Sequence, residues 1–308
     1  MRVILAGYNV DSAVLEELKK KSPPRGDATP ETLSASYARI SRDPRPADEL
    51  RAAARAEVER ARRSNQTIIF RMGHHSVAEH AVFNFDIIGV SRLAIEEIER
   101  FRLCSFTEKS QRYITLGEDF VVPGEILRAG QEELFASTVR AQNVLYHKFY
   151  ERLRPHVFEK FRDEAANPRN HSVLDGWAKE DARYIVSLAT EGQLGLTINA
   201  RNLELLIRRF AARESDEIRD LNGRLLALAR EVAPSLLLFT EASAFDAGTY
   251  GEIGRAAEAF SPPGRAVGRR RGRSGVALAG STPGGDDRVL AALLHTVSRS
   301  SYADCLER

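Results

Sequence analysis

Between Glu97 and Tyr113 the chain reads Glu-Ile-Glu-Arg-Phe-Arg-Leu-Cys-Ser-Phe-Thr-Glu-Lys-Ser-Gln-Arg-Tyr, a mixture of cations, carboxylates and hydroxyls unlike a core helix or a solvated face. The planar guanidinium fork suits bidentate anions such as phosphate, and a nearby serine hydroxyl adds orientation. Arg100 and Arg102 are two residues apart, so on a continuous helix they would point about 200° apart. They converge on one ligand only if the helix ends there and opens into a loop. Glu108 is suited to accept from a ribose hydroxyl or an arginine. A plainer reading makes Glu97 and Arg100 an ordinary surface pair three apart on a helix, with Arg112-Tyr113 starting a strand.

Other reactive residues carry weaker signals. His74, His75 and His80 lack the His-Glu-x-x-His spacing that sets two ligands one turn apart, so no metal site is expected. Cys104 has no sequence feature that marks a base or a depressed pKa, and an inert buried thiol is expected. Gly192 to Gly195 is too sparse for a dinucleotide-binding loop. Arg201, Arg208, Arg209, Arg213 and Arg219 form either an anion site or a solvated helix face.

Several elements must position these groups. Val3 to Ala6 reads as a short buried strand, and Ser12 to Lys21 has helical spacing of Val14, Leu15 and Leu18. Ser22-Pro23-Pro24-Arg25-Gly26 is turn chemistry, Thr29-Pro30-Glu31 starts a short helix, and Ala47 to Arg63 reads as one longer helix. From His80 to Gly89 the period is two, with Ala81, Phe83, Phe85 and Ile87 on one face of a half-buried strand. Ser91 to Arg102, Gln131 to Phe161 and Glu180 to Leu188 read as helices. Asn199 to Leu228 is a long charged helical region with a break expected near Ala211-Ala212. The expected class is α+β, rich in helix. Residues 1–260 form the expected main domain. Residues 261–287, dense in Gly, Pro and Arg, read as a flexible linker, and 288–308 as a short amphipathic tail with Val289, Leu290, Leu293, Leu294 and Val297.

Composition narrows the function classes. The chain has 308 residues, 43% of them hydrophobic, enough to bury a substantial core. Its 45 basic and 43 acidic residues nearly cancel, so no overall field points to nucleic acid or to a membrane. Arg265, Arg269, Arg270, Arg271 and Arg273 lie in the linker, and without them the formal charge falls from +2 to −3. Any anion site is therefore local. Two distant cysteines, no signal peptide and no long apolar run lead to an expected cytoplasmic location.

The arginine segment resembles the signature of flavin-dependent thymidylate synthases, Arg-His-Arg followed by seven residues and a serine, here Arg100-Phe101-Arg102 and then Ser110. Upstream, Gly73-His74-His75-Ser76-Val77-Ala78-Glu79-His80 is similar to that family's Gly-His-x-Ser/Thr-x-x-Glu-His, and Ala38-Arg39-Ile40-Ser41 to its Ala-Arg-x-Ser. Downstream, Ala182-Arg183 and Asn199-Ala200-Arg201 reproduce two further elements in order, so the resemblance covers roughly Met1 to Val232. It implies the family's fold, a helix-rich body around a small sheet, and reductive methylation of dUMP to dTMP with FAD, NADPH and methylenetetrahydrofolate. It also implies a homotetramer with sites formed between subunits.

By the same resemblance Ser76, Arg100, Arg102, Leu103, Glu108, Asn199 and Arg201 would contact flavin, with Ser41 an addition. Glu97, Arg100, Glu108, Ser110, Gln111, Arg112 and Arg183 would contact dUMP, and Arg208 or Arg209 would polarise the uracil ring. Phe101 stands in place of the signature histidine, Glu97 of a glutamine, Thr107 of an asparagine and Leu205 of an asparagine facing the flavin. These departures support an alternative, a catalytically degenerate paralogue that keeps flavin or nucleotide binding or serves as a structural domain.

Overall fold

Alternation of apolar and polar residues from 83 to 87 has a direct outcome, since Phe83, Phe85 and Ile87 are buried to 1% exposure or less while Asn84 and Asp86 face out. A computed structural model describes residues 1–20, 28–113, 116–117, 119–260, 278 and 280–307. In chain order the main elements are β1 (Arg2–Tyr8), α1 (Ser12–Lys19), α2 (Glu31–Arg39), α3 (Ala47–Ala56), α4 (Val58–Asn65), a π-helical turn (Gln66–Arg71) and a 3-10 helix (His75–His80). There follow β2 (Val82–Ser91), α5 (Arg92–Glu99), β3 (Ser105–Glu108), α6 (Gly124–Arg128), α7 (Glu132–Lys160), α8 (Arg162–Ala165) and α9 (His171–Ala182). β4 (Glu191–Asn199), α10 (Ala200–Ala211), α11 (Asp216–Val232), α12 (Ala244–Phe260), α13 (Gly285–Val297) and α14 (Tyr302–Glu307) complete the order.

The four strands form one antiparallel sheet in the order β1-β2-β4-β3. Register sets Phe85 opposite Leu196 and Val82 opposite Asn199. A shift between Ile88 and Val90 falls at Gly89, whose φ of 72° is one that glycine adopts without steric cost. The inner face packs on Ile95 and Ile98 of α5, on Leu203, Leu206, Ile207 and Phe210 of α10, and on Leu221 and Leu225 of α11. Because β2 and β4 pair to their ends, Ala200 donates its N–H to the carbonyl of Ala81 at 2.9 Å. That contact brings the 3-10 helix and the start of α10 side by side, and the site is built there.

The α+β expectation holds, and α7 matches the expected helix to one residue at each end. The region from Asn199 breaks after Ala211, and the helix from residue 91 ends at Glu99, so Arg100 and Arg102 do leave a helix end. Two expectations are corrected. The helix read from Ala47 to Arg63 is two helices, with Glu57 at φ −130° and ψ 64° between them. The break lets Ala54 and Ala61 both pack against Ala35 of α2. The helix read over Glu180 to Leu188 is instead the end of α9, a 3-10 turn (Arg183–Ile185), extended backbone at Val186 and a turn closed by the Thr190 N–H on the carbonyl of Ser187. There the carbonyls of Leu188, Ala189 and Thr190 accept N–H groups from Leu93, Val121 and Arg92, so pairing with neighbouring segments replaces helical bonds. β4 was not anticipated, although Leu194, Leu196 and Ile198 alternate as strand residues do.

Residues Met1–Ile253 form one compact unit and Gly254–Arg308 a second. Within the second, α13 packs on α14, and Val289, Leu290, Leu293, Leu294 and Val297 of α13 are exposed. The expected turn at Ser22 to Gly26 and residues 261–277 of the expected linker from 261 to 287 lie outside the described residues, while the last three residues of that linker are the first of α13. Among the described residues no helix is long and apolar enough to cross a membrane.

Candidate functional site

Asn199 ends β4 and caps α10, its side chain accepting the N–H of Asn202 at 2.9 Å. Asn202 in turn donates through Nδ2 to the carbonyl of Leu103 at 3.1 Å, which fastens the chain leaving α5 onto α10. Between these segments and the 3-10 helix lies a cleft of about 440 Å³. Its apolar walls are Ile69, Ala78, Leu103, Leu205 and Phe239, and its polar groups are His75, Glu79, Arg201, Asn202, Glu204 and Arg208. Arg201 is ion-paired with Glu79, and Nε of Arg208 stands 2.9 Å from Asp246. A hydrogen bond from Ser243, against some burial, holds the Asp246 carboxyl below the usual carboxylate range. Phe239 meets Phe70 edge to face at 5.0 Å and lies 6.4 Å from the His75 ring, an aromatic wall along one side.

A second cluster surrounds the end of α5. Glu97 is half-buried, 2.8 Å from Arg100 and 2.7 Å from Arg213. Glu97 thus faces two guanidiniums, one from its own helix end and one from the segment after α10. Phe101 packs edge to face on Phe210 and lies under the Arg209 guanidinium at 5.5 Å, a cation–π platform. Arg208 therefore lines the cleft, whereas Arg209 belongs with Phe101.

In a third cluster Arg92 binds Glu96, Glu99 and Glu108. Burial raises the Glu108 carboxyl above its ordinary range, with Arg92 opposing. Beside it, Gln111 and Lys109 line a narrow hollow with Asp119 and Glu191. Arg112 and Arg183 share Glu180, at 3.6 and 3.5 Å, and Ser110 Oγ accepts the N–H of Arg112 at 3.2 Å. This is a compact pair of cations with one carboxylate and a hydroxyl.

Within one chain the structure joins Leu103, Arg201 and Arg208 in the cleft, with Asn199 capping the helix and Ser76 on the adjoining 3-10 helix. It joins Ser110, Arg112 and Arg183 elsewhere, and Glu97 with Arg100 elsewhere again. Arg102 and Ser41 are exposed and line neither cavity. Sequence reasoning missed Glu204, Phe239 and Asp246. Glu204 reads as one more polar helix position, and the other two sit in a stretch with no motif. Their only signal is helical spacing, which places Glu204 one turn from both Arg201 and Arg208.

The three histidines diverge. His74 lies 3.4 Å from Arg42, His75 packs on Phe70, and His80 packs on Tyr37. Among the described residues no group of three or more His, Cys, Asp or Glu side chains is placed to hold a metal ion. Cys104 donates to the carbonyl of Phe101 at 3.0 Å, and burial pushes its thiol up, away from nucleophilic chemistry.

Comparison with known proteins adds a separate line of support. The chain is 36% identical over 172 residues to the flavin-dependent thymidylate synthase of Geobacter sulfurreducens, a match covering 54% of this chain and 65% of that protein. It is 30% identical over 177 residues to that of Clostridium tetani, covering 56% and 68%. The match thus spans less than two thirds of the Geobacter protein's own length. The crystal structure of a UMP/dUMP methylase PolB from Streptomyces cacaoi, bound with 5-Br dUMP, superposes with a TM-score of 0.52 at 19% identity. That superposition covers 81% of this chain and 94% of that one, so the fold is shared. Residues 26–235 match the family model of the thymidylate synthase complementing proteins, more than half of the chain, and the chain belongs to this flavin-dependent thymidylate synthase family.

Proposed function

We propose that this chain binds FAD in the cleft on α10 and dUMP at the Arg112–Arg183 pair, and methylates dUMP to dTMP with methylenetetrahydrofolate and NADPH. The observation that carries the reading is the cleft itself. Apolar walls at Ile69, Leu103, Leu205 and Phe239 fit a planar ring, and Arg201 and Arg208 at its polar side fit the anionic pyrophosphate. When bound, flavin supplies the hydride chemistry; the chain's own residues bind, orient and exclude water. Arg112 and Arg183 offer two guanidiniums against a single carboxylate, so a phosphate dianion would displace Glu180 with a gain in charge-assisted bonds. The candidate contacts are distributed over three clusters in one chain, which supports a homotetramer whose sites draw on more than one copy.

A second reading is favoured by one specific observation. Four candidate arginines are engaged by the chain's own groups, Arg100 and Arg213 by Glu97, Arg208 by Asp246, and Arg209 by Phe101. In that reading the chain keeps flavin and nucleotide binding without methyl transfer. Loss of one donor aimed at developing charge costs ~10²–10³ in rate. Flavin absorbance of the purified protein, calorimetric titration with dUMP, and tritium release from labelled dUMP test both readings together. Bound flavin, dUMP binding and turnover support the synthase; the first two without turnover support the binder. A protein that takes up no flavin from excess FAD refutes both.

A further inference from the structure

One carboxyl in the cleft is matched by no cation of its own. Glu204 lines the cleft at 8% exposure, on α10 one turn beyond Arg201 and one turn before Arg208. Its Oε1 accepts the peptide N–H of Phe239 at 3.2 Å. Arg201 is committed to Glu79 and Arg208 to Asp246, the latter at 2.9 Å. The charged and titratable groups around Glu204 are thus Arg201 and Arg208 of its own helix, His75 and Glu79 of the 3-10 helix, and Asp246 of α12. The segment at Leu238 and Phe239 offers it only peptide donors. Burial pushes the Glu204 carboxyl up to about 7, against those two N–H groups and Arg208.

We infer that Glu204 is a further binding residue of this cleft, a carboxylic acid that takes up one proton from solvent when an anionic ligand enters. The inference rests on the reading of the cleft as a flavin site. As the neutral acid, Glu204 removes a negative charge from beside the ligand and can donate its O–H to a ligand acceptor. As the carboxylate it repels the same ligand and has no counterion of its own. No ligand bond forms or breaks, and the proton returns to solvent on release. His75 also lines the cleft, so its contribution must be separated from that of Glu204.

Isothermal titration with FAD in two buffers of different ionisation heat, at pH 6, 7 and 8, counts the protons taken up. In the wild type the count should rise from about 0.1 at pH 6 through about 0.5 at pH 7 to about 0.9 at pH 8. Affinity should fall towards tenfold per pH unit above pH 7. Glu204→Gln should abolish the uptake and flatten the affinity, whereas His75→Gln should leave the uptake at pH 8 in place. No uptake at pH 8 in the wild type overturns the inference without recourse to any variant. Uptake that survives Glu204→Gln, or disappears with His75→Gln, overturns it while leaving the flavin reading intact. FAD that fails to bind at every pH removes both.

Discussion

Glu204 illustrates what a single side chain contributes to stability as well as to binding. Its folded value of about 7 lies above the ordinary 4.5, so the folded chain keeps a proton that the unfolded chain has released across that window. The acid is no burden below pH 4.5; as pH rises from 4.5 to 7 the folded state loses stability, and above 7 the loss is complete. Glu204→Gln, which keeps an oxygen for the Phe239 N–H, should match the wild type at pH 4 and exceed it at pH 8. The expected gain is on the order of 1–2 kcal/mol after allowance for solvent reaching the group through the cleft. Urea melts at the two pH values check this, and an equal difference at both would show that the carboxyl is not strained by burial. The motifs made Arg201 and Leu103 legible in the sequence because each belongs to a recognisable string. Glu204 and Phe239 were not legible, since their roles come from a wall supplied by residues more than thirty positions further along.

The helices α2 and α4 and the segment after α11 are joined by one buried acid. Glu31, with no exposed surface, accepts from Arg62 Nε at 2.6 Å and from the N–H of Ser235 at 2.6 Å, while Asn65 donates to its carbonyl at 3.1 Å. Glu31→Ala removes the acceptor of the Ser235 N–H and one of the two carboxylates that face Arg62, and should cost about 3–5 kcal/mol by equilibrium denaturation. A loss below about 1 kcal/mol would mean that the alanine packing of Ala35, Ala54 and Ala61 carries the contact alone. Legibility differed between elements for physical reasons. β2 could be read because Phe83 to Ile87 alternate apolar and polar without interruption. β4 carries the same alternation at Leu194, Leu196 and Ile198, but Gly192 and Gly195 dilute it. A Cβ at Gly192 would come within 2.6 Å of the Ile95 Cδ1, so a larger residue there would oblige the end of that side chain to shift. The two glycines carry no side chain to mark a face, and so obscure the strand.

For the whole molecule, the proposed assembly makes a measurable claim. In the first compact unit Leu103, Tyr113 and Tyr184 are 76%, 73% and 86% exposed, and each flanks a candidate ligand contact. Leu93 and Leu188, joined by a peptide hydrogen bond, add two more exposed apolar groups near the last of these. Large side chains placed so openly are suited to burial against another copy. Light scattering with FAD present should give a mass several times 34.3 kDa; a persistent monomer would sink the shared-site proposal. The sheet says how such copies would not meet. Its outer strands are β1, interrupted by a bulge between Leu5 and Gly7, and β3, only four residues long. A kinked border and a stunted one make poor templates for strand addition, so the sheet is guarded against growing into fibrils by edge-to-edge recruitment.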